Sequence, residues 1–177
     1  MPEVTLGLFA PIGHGRGFSE LYAVPNPAVN AGFTYTVDGG YWERLASLSF
    51  HLLTDSNAAN RQVTLTFKDP SGAVLASISP ASVQAATLAY DYTFLPNIQT
   101  PQTVAGLGLL SPLYAALLQP QWTAVVTIGA KQVGDQVSNI RVYRERFITG
   151  PGGFEIGQTL QETPLVHQGQ VLADELA

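Results

Sequence analysis

The fold is decided by the stretch from Tyr41 to Lys68, which reads YWERLASLSFHLLTDSNAANRQVTLTFK. Every second residue of its first half gives Trp42, Arg44, Ala46, Leu48, Phe50 and Leu52, and in its second half Val63, Leu65 and Phe67 alternate with polar residues. A period of two in runs rich in aromatic and β-branched residues is typical of strands. A polar loop, Asp55 to Asn60, separates the runs, so the sequence predicts two paired antiparallel strands.

Further strands of this kind follow at short spacing. The predicted ranges are Ala31 to Val37, Ala73 to Ser79, Thr87 to Leu95, Trp122 to Ile128 and Gln136 to Ile148. Turn sequences such as Asp69-Pro70-Ser71-Gly72 separate them. Short strands joined by such turns predict an all-β fold, an antiparallel β-sandwich or barrel. The long connection from Pro96 to Gln121 favours a jelly roll over an immunoglobulin-like sandwich.

Three segments are predicted: an extended N-terminal arm at 1–30, the β-sandwich domain at 31–149 and a C-terminal tail at 150–177. The arm is rich in proline and glycine and keeps neither a helical nor a strand period. It nevertheless carries too many apolar side chains to remain in water. We therefore expect the arm to lie along its own domain or along a neighbouring subunit, and the tail to be ordered by a partner.

The connection from Pro96 to Gln121 is a second apolar segment outside the regular strands. One or two helical turns are predicted around Leu113 to Leu118, because Gly106, Gly108 and Pro112 exclude a long helix. Two interpretations stay open. The segment is either a packed crossover loop that offers an interface, or a loop that only closes one end of the sandwich.

Composition points to a protein with few charges. Charged residues make up 12% of the chain, about half the usual share of roughly 25%. Such a surface suits a protein packed against neighbours, and equally a secreted β-protein rich in Ser and Thr. The net charge of −5 gives no basic footprint for nucleic acid. Arg141, Arg144 and Arg146 on the last strand are predicted to form a solvated or interface face.

The sequence predicts neither a membrane span nor a secretory signal, and it lacks cysteine. No stretch is long and apolar enough to predict a membrane span, and the N-terminus does not resemble a secretory signal. The chain contains no cysteine, so it has no disulfide framework and no thiolate ligand for a metal.

No catalytic constellation emerges from the sequence. His14, His51 and His167 share no metal-ligand spacing, and the glycines around His14 lack the strand and helix that a phosphate loop needs. Asp38, Asp55, Asp69 and Asp135 fall in predicted turns, where aspartate bonds its own backbone. Asp91 and Glu43 would have to meet to form a glycosidase-like pair, and nothing brings them together. We predict a non-enzyme without metal or cofactor.

A glycan site is the binding alternative. Jelly rolls carry such sites on exposed aromatics beside amides and carboxylates, and the candidates here are Tyr41, Trp42, Tyr90, Asp91, Tyr92 and Trp122. A strand-borne aromatic residue at period two is more often part of the core or the sheet edge. The sequence leaves both interpretations open.

The chain resembles a group of virion proteins of tailed bacteriophages over about residues 31–149. The residues that carry the resemblance are the run from Gly39 to Phe50, Thr54-Asp55, Ala59 to Leu65, the Asp69 to Gly72 turn, Gly134-Asp135-Gln136 and Arg144-Glu145-Arg146. The resemblance implies a small β-sandwich or jelly-roll structural protein, such as a capsid decoration (cement) protein. Its implied location is the virion, assembled in the host cytoplasm.

A cement protein of this kind would bind the major capsid protein and copies of itself, commonly as a homotrimer, with neither nucleic acid nor membrane as partner. It would stabilise the shell by burying arm and loop surface between capsid subunits. The expected contact residues are Leu6, Leu8, Phe9, Ile12, Phe18, Leu21 and Tyr22 in the arm and Leu109, Leu110 and Tyr114 in the crossover. A receptor- or glycan-binding module of a tail or fibre is the alternative.

Overall fold

The computed structural model describes residues 17–104 and 108–148, and these form strands and turns without any helix. The strands are β1 (Gly17–Ala23), β2 (Phe33–Thr36), β3 (Tyr41–Leu53), β4 (Gln62–Lys68), β5 (Val74–Ile78), β6 (Ala89–Leu95), β7 (Gln102–Val104), β8 (Gly108–Pro112), β9 (Leu117–Leu118), β10 (Thr123–Gly129) and β11 (Gln136–Ile148). None of the described residues belongs to a helix that could cross a membrane.

Two sheets pack face to face as a sandwich, which confirms the predicted fold class. The large sheet has the order β1-β11-β3-β6-β8-β7, with β9 paired to β3, and the small sheet has the order β2-β10-β4-β5. Strand β3 pairs with β11, and β4 pairs with β10. This nesting of early strands with late ones is compatible with the predicted jelly roll.

The core lies between the inward faces of the two sheets. Phe50, Tyr92 and Phe94 stack on the large sheet, with ring centroids 5.1 and 6.4 Å from that of Phe50. Val63, Leu65 and Phe67 on β4 face them from the small sheet and are buried. The period of two in the sequence arises because one face of each strand packs into this core.

The pairing predicted for the two runs of the Tyr41 to Lys68 stretch is wrong. The runs form β3 and β4 with the polar loop between them, but β3 belongs to the large sheet and β4 to the small one. Alternation predicts that each run buries one face, and two facing sheets satisfy that requirement as well as a hairpin does. The loop therefore crosses from one layer to the other.

A β-bulge in β3 reverses the faces of its first residues. Tyr143 pairs with Ser47 and Arg144 with Leu45, so Ala46 is an extra residue opposite β11. A shift of one residue moves side chains to the other face. Glu43 and Leu45 therefore point inward, while the inward row expected from the period would contain Trp42 and Arg44.

The described residues of the crossover form no helical turn, contrary to the prediction around Leu113 to Leu118. Its described part contributes the short strands β7, β8 and β9 to the large sheet. Gly108 has a φ of +88°, and a Cβ there would lie 2.0 Å from the Asp91 carbonyl oxygen. Glycine thus permits β8 to approach β6 closely and to pair with it in parallel.

Part of the predicted arm is a strand of the domain. Residues 17–23 form β1, which pairs with β11 over all seven residues. Of the two predicted alternatives, this part of the arm lies along its own domain. Leu6, Leu8, Phe9 and Ile12, as well as the tail at 150–177, lie outside the described residues.

Candidate functional site

Two arginines of β11 lie buried between the sheets in what we call the two-arginine cluster. Arg144 and Arg146 are 3% and 7% exposed. The cluster comprises Arg144, Arg146, Glu20 of β1, Tyr35 of β2, Glu43 of β3 and Asp38, which follows β2. It thus links three neighbouring strands of the large sheet to an edge strand of the small one.

Arg144 connects two carboxylates and a phenol. Its Nη2 and Nε donate to Glu20 Oε2 at 3.1 and 3.3 Å. Its Nη1 lies 3.3 Å from Glu43 Oε1 and also donates to the Tyr35 hydroxyl, which in turn donates to Glu43 Oε2. Tyr35 is therefore a hydrogen-bonding link between the arginine and the buried carboxylate.

Arg146 forms the second half of the cluster. Its Nε lies 3.0 Å from Glu43 Oε1 and its Nη1 lies 3.3 Å from Glu20 Oε2, while Nη2 binds the more exposed Asp38. Its guanidinium lies 3.6 Å from the ring centroid of Tyr41. The guanidinium of Arg144 lies 4.4 Å from that of Tyr22, and such stacking suits a weakly hydrated cation.

Burial dominates the protonation equilibria here. Burial raises the pKa of Glu43 by more than the Tyr35 hydrogen bond and the Arg144 and Arg146 charges lower it. Burial, together with the nearby Glu43 charge, also raises the pKa of Tyr35. Tyr35 therefore stays a neutral donor, and the folded protein favours the protonated form of Glu43 more than water does.

The prediction that the three arginines form a solvated or interface face is wrong for Arg144 and Arg146. Only Arg141 of the three is exposed. The sequence held a usable signal, because Val142, Arg144 and Arg146 continue the inward row of β11 at period two. Interpreting the arginines by charge alone missed this signal.

A third buried arginine, which sequence reasoning missed, holds the loops at the opposite end of β3. Arg61 is fully buried, and its Nε and Nη2 donate to the two Asp135 oxygens at 2.9 Å each. Its Nη2 also reaches Asp55 Oδ1 at 2.5 Å, and its Nη1 donates to the carbonyls of Asn57 and Ala59. We call Arg61, Asp55 and Asp135 the Arg61 clamp.

The clamp aspartates also bind backbone of distant loops. Asp135 Oδ1 accepts from the Asp55 N–H at 3.0 Å, and Asp55 Oδ2 accepts from the Gly134 N–H at 3.1 Å. Burial works against ionisation of Asp135, but the hydrogen bonds from Arg61 and from the backbone N–H groups of Asp55 and Gln132, together with the Arg61 charge, outweigh burial and lower the pKa of Asp135. The pKa of Asp55 is lowered as well, since hydrogen bonds from Asn57 and Gly134 outweigh desolvation.

The acid–base candidates from the sequence do not assemble. Asp91 pairs with His51, whose Nδ1 lies 2.8 Å from Asp91 Oδ1 on the outer face of the large sheet. His51 follows Glu43 by eight residues on β3, which corresponds to roughly 26 Å. Glu43 and Asp91 therefore do not form a carboxylate pair. Residues 17–104 and 108–148 contain no group of three His, Asp or Glu side chains that could hold a metal.

The six glycan candidates are dispersed. Tyr92 is buried in the core, where its hydroxyl donates to Gln84 Oε1 at 3.1 Å. Tyr41 lies against Arg146, and Trp42 and Trp122 are half-buried. Tyr90 and Asp91 share a cleft of about 340 Å³, which is also lined by Ala89, Thr103, Val104, Gly108 and Leu109.

The predicted contact residues occupy different environments. Phe18 and Tyr22 lie on the inner face of β1 against Arg146 and Arg144. Leu21 is 45% exposed on the outer face and Tyr114 is 43% exposed. Leu110 is half-buried, whereas Leu109 is 2% exposed within the core. Leu109 is therefore not placed to touch a partner, because the inward face of β8 holds it.

Comparison with family models and with curated proteins produces no match to the sequence.

Proposed function

We propose that this chain is a non-enzymatic structural protein of a tailed-phage virion, namely a capsid decoration protein that binds between subunits of the major capsid protein. The observation that carries the proposal is the scarcity of charge on the outside. The low charged fraction of 12% is reduced further at the surface, because Glu20, Glu43, Arg61, Asp135, Arg144 and Arg146 are all buried.

Aliphatic side chains are exposed in place of those charges. Val29, Leu53, Val74 and Val133 are 56%, 49%, 60% and 74% exposed. Protein contact surfaces are depleted in Lys, Glu and Asp in this manner. A protein repeated many times on a shell would also gain from weak contacts, since avidity multiplies them. These features support assembly as the role of the chain, and the phage setting rests on the resemblance.

The test is electron cryomicroscopy of purified particles of the phage that encodes the chain, with copies counted per particle. Many copies on the icosahedral shell are the expected result. A few copies at the tail would favour a receptor-binding module, and absence from the particle would reject the virion proposal.

Attachment through the arm is tested by deleting residues 1–16. The deletion stops there because Glu20 and β1 belong to the folded domain. We expect the shortened chain to keep the thermal unfolding of the full chain and to bind particles more weakly. Unchanged binding would show that the arm is not the attachment device.

The cleft lined by residues of β6, β7 and β8 favours glycan binding as a second candidate function. Tyr90 and Asp91 both line this cleft, and the Asp91 carboxylate is 65% exposed. Aromatic residues with a few polar groups nearby are common in small-molecule sites. A glycan array with the wild type and a Tyr90→Ala variant tests this function. Binding that the variant loses would support it, and no binding by the wild type would exclude it.

A further inference from the structure

We propose that β1 is a self-association edge, at which a second copy of this chain adds its own β1 in antiparallel orientation around Leu21. The proposal concerns the isolated protein and does not rest on the proposed function. Four properties of β1 support it: its position, the direction of its backbone groups, its outer side chains and the placement of its one charge.

The first property is position. Strand β1 ends the large sheet, and no described strand pairs with its outer edge. Its seven residues pair with β11 in unbroken register. The other edges are shorter or irregular, since β7 has three residues, β2 has four, and β5 contains a bulge opposite β4. Short strands, bulges and inward-pointing charges are common protections of sheet edges. Strand β1 has neither of the first two, and its one inward-pointing charge, Glu20, is paired with Arg144 and Arg146 of its own chain.

The second property is the direction of the backbone groups. Val24, next to β1, donates its N–H to the Ile140 carbonyl at 3.2 Å, so it faces β11. Hydrogen-bonding direction alternates along an antiparallel strand. Ser19, Leu21 and Ala23 therefore direct their N–H and C=O groups away from β11. An added strand would be bonded by these three residues, of which Leu21 and Ala23 are exposed and Ser19 is 6% exposed.

The third property is an apolar row on the outer face. Leu21 lies directly opposite Tyr143 of β11, and the two are 45% and 41% exposed. With Leu21 facing Leu21 of a second copy, the row would run Tyr143, Leu21, Leu21, Tyr143 across the two-fold axis. Cross-strand apolar pairs of this kind stabilise a sheet.

The fourth property is charge, which selects the register. Glu20 is the only charged residue in β1 and points inward onto Arg144 and Arg146. Pairing centred on Glu20 would oppose two like charges, which destabilises a strand pair. Pairing centred on Leu21 instead places each Glu20 opposite a Tyr22 and each Ser19 opposite an Ala23.

The predicted contact is a two-fold one, in which both copies use the same strand. A trimer, as the resemblance implies, would require β1 to touch a different surface of its neighbour. We expect a weak dimer in solution, because one strand pair and one apolar row fall below the roughly 1,200 Å² total of stable specific interfaces.

Cysteine cross-linking tests the contact cleanly because the chain has no native cysteine. We expect Leu21→Cys to form disulfide-linked dimers on mild oxidation, since paired residues have Cα atoms about 5.5 Å apart, within disulfide range. The control is Val133→Cys, at a side chain that is more exposed, 74% against 45%. We expect Leu21→Cys to cross-link about tenfold faster than this control or more, because pairing raises the local thiol concentration.

The register is tested with Ser19→Cys and Ala23→Cys. Two Ser19 residues would lie roughly 13 Å apart along the paired strands, too far for a disulfide, whereas Ser19 and Ala23 would face each other. A mixture of the two variants should cross-link, and neither variant alone should. The Leu21→Cys and Val133→Cys variants should first be shown to unfold at the wild-type temperature. If Leu21→Cys then forms disulfide-linked dimers no faster than Val133→Cys, the proposal is overturned. Ser19→Cys that cross-links with itself as fast as the mixture would also overturn it.

Discussion

The Arg61 clamp and the two-arginine cluster both pair buried arginines with carboxylates, yet the pKa of Glu43 in the cluster is shifted in the opposite direction to the pKa values of the clamp aspartates. In the clamp, one arginine and several backbone N–H groups serve two aspartates, whose pKa values are lowered. In the cluster, two arginines serve three carboxylates, and the pKa of Glu43 is raised. The balance between the cost of burial and the donors and charges around each carboxylate, rather than the presence of an arginine, decides the direction of the pKa shift.

The largest expected effect comes from breaking the clamp with Arg61→Met. The substitution leaves Asp135 buried without its bidentate partner and two loop carbonyls without their donor. Removing one partner of a buried ion pair costs about 3–5 kcal/mol. We expect a loss of that size in the free energy of unfolding, measured by urea denaturation at pH 7. A loss no greater than that of an exposed arginine would contradict the clamp's structural role.

A pair of isosteric changes sharpens the comparison between the two sites. Asp135→Asn removes a charge that the fold favours, and we expect it to cost about 1.5–3 kcal/mol, the range of hydrogen bonds to charged groups. Glu43→Gln removes a charge that the fold disfavours, while an amide oxygen can still accept from Tyr35 and Arg144. We expect Glu43→Gln to be neutral or stabilising at pH 7.

Urea denaturation of both variants beside the wild type measures the contrast. We expect the free energy of unfolding to fall in Asp135→Asn and to stay unchanged or rise in Glu43→Gln. Equal destabilisation by the two variants would show that the Glu43 carboxylate is needed in its charged form.

Much of the fold was predictable because alternation reports directly on burial. The bounds of β3, β4 and β11 follow from runs whose inward residues occur at period two. Alternation does not identify the neighbouring strand, and for that reason the predicted pairing of β3 with β4 is wrong. It also fails at a bulge: the extra Ala46 moves Glu43 into the interior, and Ala46 carries no turn signal of its own.

The two buried arginine sites were predictable to different degrees. Arg144 and Arg146 continue an inward row, so a strand-period argument could have placed them inside. Arg61 follows a polar loop, and its partner Asp135 lies 74 residues further along the chain. Only the fold brings these loops together, and local sequence contains no signal for that contact. Asp69 behaves as predicted for a turn aspartate, because it accepts from Ser71 and from the Ala73 N–H.

The Arg61 clamp and the two-arginine cluster should each change the stability of the protein in a different pH range. The pKa of Asp135 is lowered in the folded protein, so ionised Asp135 stabilises the fold. This stabilisation is fully present above pH 3.8, the ordinary pKa of an aspartate, and is lost as the pH falls through the folded pKa. The raised pKa of Glu43 has the opposite sign, since the folded protein retains the proton more strongly. Stability should therefore decline as the pH rises from 4.5 through the folded pKa of Glu43.

Denaturation measured across acid and neutral pH checks this shape, and Glu43→Gln is its matched control. The variant should still lose stability at acid pH, as the wild type does, but its stability should not decline as the pH rises above 4.5. A decline of the same size in the variant would assign that part of the curve to another group.

The smallest effect is expected at Arg44 and Glu145, an ion pair that lies outside the buried sites. Arg44 Nε donates to Glu145 Oε2 at 2.6 Å on the outer face of the large sheet, and the arginine side chain is 49% exposed. Exposed pairs contribute about 0.2–1 kcal/mol, and salt screens them. Arg44→Ala should thus change the free energy of unfolding by no more than this amount, with a difference from wild type that shrinks in high salt. Because of the bulge at Ala46, the side chain of Arg44 lies on the outer face of the large sheet. Comparing this exposed arginine with the buried ones separates the effect of burial on stability from the effect of charge. A cost for Arg44→Ala that approaches the cost of Arg61→Met would mean that burial is not what distinguishes these arginines.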